Sequence, residues 1–115
     1  MNRLVTAGLL GAIAIALGAF GAHALKERLA LIPEVAAWWQ TATFYLLTHA
    51  VAIGAIAGRS AWPTRLWTFG SVIFAGTLYA MALGAPRWFG AITPLGGSLL
   101  IAGWVVLAWT SSRES

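Results

Sequence analysis

The chain has 115 residues, of which 60% are hydrophobic and only 9% are charged, and its formal net charge is +4. Ordinary soluble domains carry roughly 25% charged residues, so this composition excludes a typical soluble globular protein. The seven Lys and Arg residues are scattered along the chain, whereas a nucleic-acid binder gathers such charge on one face. The absence of cysteine excludes disulfides, thiolate metal ligands and thiol nucleophiles.

Four long stretches without a formally charged residue fill most of the sequence, at residues 4–25, 35–58, 66–86 and 88–112. A helix needs roughly 20 predominantly apolar residues to cross the hydrocarbon core of a bilayer. Helices of a soluble core keep a polar face for water, but none of these stretches has a charged face. The sequence therefore predicts an all-α, multi-pass, four-helix transmembrane bundle, a single membrane domain over residues 1–115. The predicted helices cover about 4–24, 34–57, 64–84 and 94–111.

The first predicted helix ends in Ala22-His23-Ala24, which resembles the cleavage site of a signal peptide. The apolar stretch before it is longer than the roughly 7–15 residues of a signal-peptide core. We therefore expect this helix to be retained as a membrane span.

Lys and Arg residues at the helix ends predict the orientation. The side that holds both termini has four of them and the opposite side has three. They are Arg3, Arg59, Arg65 and Arg113 on the first side, and Lys26, Arg28 and Arg87 on the second. The positive-inside rule then favours both termini in the cytoplasm by one charge, and a dual-topology protein would show a similarly small difference. We expect the cell inner membrane as the location.

Tryptophans concentrate at the predicted helix ends, as expected for belts at the membrane–water interfaces. Only Trp104 lies inside a predicted span. The others form two sets, Trp38, Trp39 and Trp88 on one side and Trp62, Trp67 and Trp109 on the other.

His49 is the main candidate for a functional residue. It lies about 14 residues past the start of the second apolar stretch, which places it roughly 21 Å along a helix and inside the hydrocarbon. Intramembrane polar residues usually face the bundle interior and are functional candidates. Tyr45 shares its helix face. One interpretation is a proton relay or ligand contact, and the other is a neutral imidazole bonded to a neighbouring helix, with Ser71, Thr77 or Tyr79 as partner.

A second group of polar candidates lies on the side away from the termini and comprises His23, Glu34, Arg87 and Thr93. Arg87 is placed either to pair with Glu34 across two connections or to bind the phosphate of an anionic lipid. His23 and His49 differ too much in depth to share a haem iron, and no cysteine or intramembrane carboxylate accompanies them. We therefore expect no metal, no cofactor and no catalytic residues, and no enzyme activity.

Small residues predict where helices pack closely. Gly11 and Gly18 lie on one stripe of the first helix, and Gly54 and Gly58 form a GxxxG motif in the second. Such residues let helix backbones approach closely in lipid. They indicate packing within the bundle, contact between copies in a homo-oligomer, or both.

Four motifs in a fixed order resemble a known family: GAFGAHAL at 18–25, WxTAxxYxxxHA at 39–50, GS at 70–71 with LY at 78–79, and RxxGxITPLGG at 87–97 leading into GW at 103–104. Together they resemble the bacterial inner-membrane proteins grouped as domain of unknown function 423, which have related small transmembrane proteins in eukaryotes. The resemblance covers essentially the whole chain and implies a four-helix integral membrane protein without an established activity. The positions at which the chain matches this pattern include His23, Tyr45, His49, Arg87, Thr93 and Pro94.

The sequence thus favours a non-enzymatic membrane protein, an accessory or assembly component that packs against lipid, against itself or against a larger complex. The alternative is a small transporter or channel that uses a polar site at His49 and Tyr45. Without an Asp, Glu, Lys or Arg inside any span, a proton-coupled carrier would depend on His49.

Overall fold

The structure, a computed structural model, describes residues 2–114, and all of the regular secondary structure in that range is helical. The all-α prediction is therefore confirmed. Five α-helices and one 3-10 helix follow in chain order. They are α1 (Arg3–Ala22), α2 (Lys26–Ala30), α3 (Pro33–Ala55), α4 (Ala61–Ala82), the 3-10 helix (Arg87–Ala91) and α5 (Thr93–Ser112).

A capping side chain or a proline lies at the start of the long helices. The Asn2 side chain caps α1 by accepting a hydrogen bond from the Leu4 backbone N–H at 2.7 Å. Pro33 opens α3, where the absent N–H of proline costs no helical hydrogen bond. The helix α4 begins at Ala61, before Pro63, and not at about residue 64 as predicted. A proline in the first turn is tolerated because the N–H groups there have no partner within the helix.

The four long helices pack mainly as sequence neighbours. The helix α3 lies against α1 on one side and α4 on the other, and α4 packs along α5. The molecule is elongated and measures 51 × 26 × 22 Å. The larger buried cluster joins α1, α3 and α4 around Trp39 and Tyr79. A smaller one joins α3, α4 and α5 through Ile53, Trp67 and Leu100.

Every long helix exposes large apolar side chains on its outer face, among them Ile15 on α1, Val51 on α3, Phe69 on α4 and Ile101 on α5. Two segments are long and apolar enough to cross a membrane by length and composition, Arg3–Ala22 with mean hydropathy 2.1 and Arg87–Ser112 with mean hydropathy 1.8. The helices α3 and α4 have the required length, with 23 and 22 residues. They are less apolar because they also carry polar residues, of which His49, Thr64 and Ser71 are buried.

Two of the tryptophans assigned to the interfacial belts lie in the core. Trp39 is 3% exposed and Trp67 is fully buried. Each lies against a glycine of a neighbouring helix, Trp39 against Gly21 and Trp67 against Gly103. The belt assignment is wrong for these two because a neighbouring glycine leaves room for an indole inside the bundle. Trp62, Trp88 and Trp109 are exposed, as a belt requires.

Candidate functional site

His49 lies in α3, six residues before the helix ends, and is only 4% exposed. Its Nδ1 is 2.7 Å from the backbone oxygen of Tyr45, and the Trp104 indole Nε1 donates to its Nε2 at 3.0 Å. An indole N–H can only donate, so Nε2 carries no proton. The proton is then on Nδ1 and is donated to the Tyr45 carbonyl. Both ring nitrogens are satisfied, and the imidazole is neutral in this arrangement.

Aromatic rings from three helices surround this imidazole. Trp67 of α4 and Trp104 of α5 lie 6.1 and 5.9 Å from it between ring centroids, each edge to face. The two indoles are themselves 4.5 Å apart. The Tyr45 ring is nearly parallel to the imidazole at 6.2 Å. We call His49, Trp67 and Trp104 the imidazole–indole cluster. It connects α3, α4 and α5.

The cluster depends on a small residue in α5. A Cβ atom at position 103 would lie closer to Nε1 of Trp67 than van der Waals contact allows. Gly103 therefore makes the space that Trp67 occupies. Trp67 Nε1 and Ser71 Oγ are buried without a hydrogen-bond partner among residues 2–114. Such groups in an apolar interior cost free energy.

The predicted partners of His49 are wrong. Ser71 has no hydrogen-bond partner among residues 2–114. The hydroxyls of Thr77 and Tyr79 are paired elsewhere, 2.6 Å from Thr93 Oγ1 and 2.6 Å from Thr43 Oγ1 respectively. The actual partner is Trp104. A tryptophan inside an apolar helix needs an acceptor for its indole N–H, and this is the signal in the sequence that points to it.

Tyr45 lies on the outer side of this cluster. It is 40% exposed and packs against Phe74 at 4.8 Å between ring centroids. Its backbone carbonyl, and not its hydroxyl, contacts His49. The structure therefore brings Tyr45 and His49 together as predicted, but without a bond between their side chains.

The polar group away from the termini is divided between several contacts. Arg87 forms an ion pair with Glu34, and its guanidinium lies 5.3 Å from the Trp38 ring centroid. Thr93 links α5 to α4 through Thr77. His23 is exposed at the end of α1. This arrangement matches the ion-pair interpretation of Arg87, and its guanidinium is already partnered.

The four glycines predicted to pack helices differ in their surroundings. A Cβ at Gly18 would lie 3.1 Å from Thr43, and at Gly11 and Gly54 it would meet α3 or α1 at 3.8 and 3.5 Å. Gly58 lies beyond the end of α3, and apart from its chain neighbours no atom of the described residues is within 4 Å of such a Cβ. The structure therefore places three of them at the α1–α3 contact and does not place Gly58 at a helix contact.

A closer approach than at these four glycines occurs elsewhere, between α4 and α5. A Cβ at Gly96 would lie 2.5 Å from the backbone nitrogen of Phe74 and 2.8 Å from the carbonyl oxygen of Gly70. The sequence does not predict this contact, because Gly70 and Gly96 belong to no GxxxG motif and meet only in the folded chain.

Comparison with known proteins gives consistent matches over most of the chain. Residues 17–97 match the family described as a protein of unknown function, DUF423. The chain is 41% identical over 115 residues to a UPF0382 membrane protein of Staphylococcus epidermidis, with 93% of each chain covered. It is 34% identical over 112 residues to the UPF0382 inner membrane protein YgdD of Escherichia coli, covering 90% of this chain and 84% of the relative. A UPF0382 membrane protein of Schizosaccharomyces pombe is 34% identical over 111 residues, with 88% and 93% covered. No solved structure matches.

Proposed function

The chain belongs to the DUF423 family of proteins of unknown function, as its four motifs predicted, and from that premise we propose that it is a multi-pass, non-enzymatic accessory or assembly component of the cell inner membrane. In this proposal all four long helices cross the bilayer and both termini lie in the cytoplasm. Its outer faces contact lipid, further copies of the chain or a larger membrane complex.

The closed environment of His49 carries this proposal. A carrier needs an intramembrane group that binds its solute or exchanges a proton during transport. Both nitrogens of His49 are instead used within the protein, by the Tyr45 carbonyl and the Trp104 indole, and two indoles pack against the ring. The residue is thus arranged as a connection between helices. The transporter hypothesis built on His49 and Tyr45 is not favoured.

The distribution of apolar side chains supports four crossings. On α3 and α4 the polar residues His49, Thr64 and Ser71 are buried, while Val51 and Phe69 are exposed. A soluble helical protein shows the reverse pattern, with apolar residues inside and polar residues outside. Burial of His49, Thr64 and Ser71 makes the lower hydropathy of α3 and α4 compatible with crossing, although Gln40 and Thr48 of α3 are exposed.

The faces of α1 and α5 that no other helix covers support contact with lipid or with another protein. The helix α1 packs mainly on α3, and α5 mainly on α4, so much of each remains uncovered within the chain. Both expose large side chains, such as Ile15 and Ile101 at more than 60%. Contiguous exposed apolar surface indicates contact with lipid or with another protein.

Site-specific photocrosslinking in native membranes tests the proposal. A photoreactive amino acid in place of Ile15 or Ile101, on the uncovered faces of α1 and α5, is expected to give discrete protein adducts. Ile53, which is fully buried, provides the matched control and is expected to give none. Adduct size and mass spectrometry then distinguish a second copy of the chain from another protein. If neither exposed position gives a protein adduct and the chain is monomeric in native-like bilayers, the assembly role is contradicted.

A further inference from the structure

A cavity of about 370 Å³ opens at the end of the molecule that holds the termini, between α1, α3 and α4. Two arginines and three threonines line it together with apolar side chains. The polar ones are Arg3, Thr6, Thr64, Arg65 and Thr68. We propose that this cavity binds the phosphodiester headgroup of an anionic phospholipid, with the two guanidinium groups on the phosphate. The proposal rests on the proposed insertion of the helices in a membrane, which places this cavity at the headgroup level.

Arg3 is held in position by the connection between α3 and α4. Its Nη1 donates to the backbone oxygen of Ala57 at 2.9 Å and also to that of Arg59. Both residues follow the end of α3 at Ala55, so this contact fixes the guanidinium of α1 against the α3–α4 connection. A guanidinium has five N–H groups, and those on its other nitrogens remain for an anion.

Arg65 is oriented by an aromatic ring. Its guanidinium carbon lies 5.3 Å from the Trp62 ring centroid. Stacking on a ring leaves the N–H edge of the guanidinium free, and that edge binds phosphate oxygens in a bidentate manner. Arg59, on the same side of the molecule, is different because it forms an ion pair with Glu114.

The charge around the cavity favours an anion. Within residues 2–114, no carboxylate lines it. Glu34 is paired with Arg87 at the other end of the molecule, and Glu114 is paired with Arg59. Arginines at the cytoplasmic surface attract anionic lipids. Phe69, which is exposed and also lines the cavity, extends the site with an apolar surface suited to an acyl chain.

The threonines favour a headgroup with hydrogen-bond donors. Each hydroxyl donates to its own helix or helix cap, Thr6 to Asn2, Thr64 to Ala61 and Thr68 to Thr64, at 3.3, 2.8 and 2.7 Å. Their oxygens are thereby left as acceptors. A glycerol headgroup offers hydroxyl donors, whereas choline offers none, so phosphatidylglycerol fits this site better than phosphatidylcholine.

Native mass spectrometry tests the site. The full chain is released from nanodiscs of equal parts phosphatidylglycerol and phosphatidylcholine, and the retained lipids are counted. We expect wild type to retain phosphatidylglycerol preferentially and Arg65→Gln to lower that retention about tenfold, the effect of losing one charge-assisted contact. Arg113→Gln is the matched control and is expected to retain the lipid, because it removes the same charge from the same side and Arg113 likewise lies over an indole ring, that of Trp109, without lining the cavity. Arg3→Gln should also lower retention, but it removes the contact between α1 and the α3–α4 connection as well.

Three results would overturn the lipid site in protein that has entered the nanodiscs. They are equal retention of the two lipids by wild type, equal losses in Arg65→Gln and Arg113→Gln, and displacement of the lipid by millimolar inorganic phosphate. The last would show a site for soluble phosphate. Failure of the protein to enter the nanodiscs would contradict the proposed membrane function, and the lipid site with it. The two failures are therefore distinguishable.

Discussion

Gly96→Ala is expected to destabilise the protein by about 2–3 kcal/mol, the upper part of the range for forcing extra atoms into a well-packed contact. The added Cβ would lie 2.5 Å from the backbone nitrogen of Phe74 and 2.8 Å from the carbonyl oxygen of Gly70. Neither neighbour is the end of a flexible side chain, so α4 and α5 would have to move apart. Unfolding in mixed micelles, followed by tryptophan fluorescence, measures the loss.

Gly76→Ala provides the matched control for that substitution. Gly76 lies in α4, and apart from the adjoining helix backbone no atom of residues 2–114 is within 4 Å of the Cβ that alanine would add. Alanine is a better helix former than glycine by roughly 1 kcal/mol, so Gly76→Ala should leave stability unchanged or slightly increased. Equal stability of the Gly96 and Gly76 variants would show that the backbones of α4 and α5 do not meet at Gly96.

His49→Ala should also be strongly destabilising, by about 2–3 kcal/mol. Truncation leaves a cavity in the imidazole–indole cluster and removes the acceptor of the Trp104 indole and the donor to the Tyr45 carbonyl. Hydrogen bonds between membrane helices average about 0.6 kcal/mol, so we expect the cavity to account for most of the loss. The same unfolding measurement applies, together with the change in Trp104 fluorescence.

Tyr45→Phe separates the structural role of this cluster from a transport role. The Tyr45 ring is partly exposed, and it contacts His49 through its backbone carbonyl. This substitution keeps that carbonyl and the ring, so stability should change by less than about 1 kcal/mol. If His49→Ala or Tyr45→Phe abolishes a solute flux through proteoliposomes while the fold remains stable, the structural account of His49 is contradicted and the transporter hypothesis is restored.

The helical architecture could be predicted because it follows from local features. Uncharged apolar stretches of more than 20 residues predict long helices, and Pro33 and Pro94 mark two helix starts. The structure has the corresponding helices α1, α3, α4 and α5. The start of α4 was misplaced because Pro63 is equally acceptable one or two residues inside the first turn.

The contacts within the candidate site could not be predicted in the same way. His49 and Trp104 are 55 residues apart in the chain, and their pairing depends on how α3 and α5 are placed around α4. Among the 13 glycines, local sequence does not distinguish Gly96, at a backbone contact, from Gly76, at an open surface. The GxxxG motif at Gly54 and Gly58 was misleading because α3 ends at Ala55, between the two glycines.

The central claim, that all four long helices cross the membrane, is tested most directly by cysteine labelling. The chain has no cysteine, so single substitutions need no further background changes. Glu27→Cys lies between α1 and α3, and Gly58→Cys between α3 and α4, both at exposed positions. With four crossings and cytoplasmic termini, an impermeant thiol reagent applied to intact cells whose inner membrane is accessible should label the Glu27→Cys variant. It should label the Gly58→Cys variant only after permeabilisation. Labelling of both variants from the same side would show that α3 does not cross the membrane, and it would contradict the account.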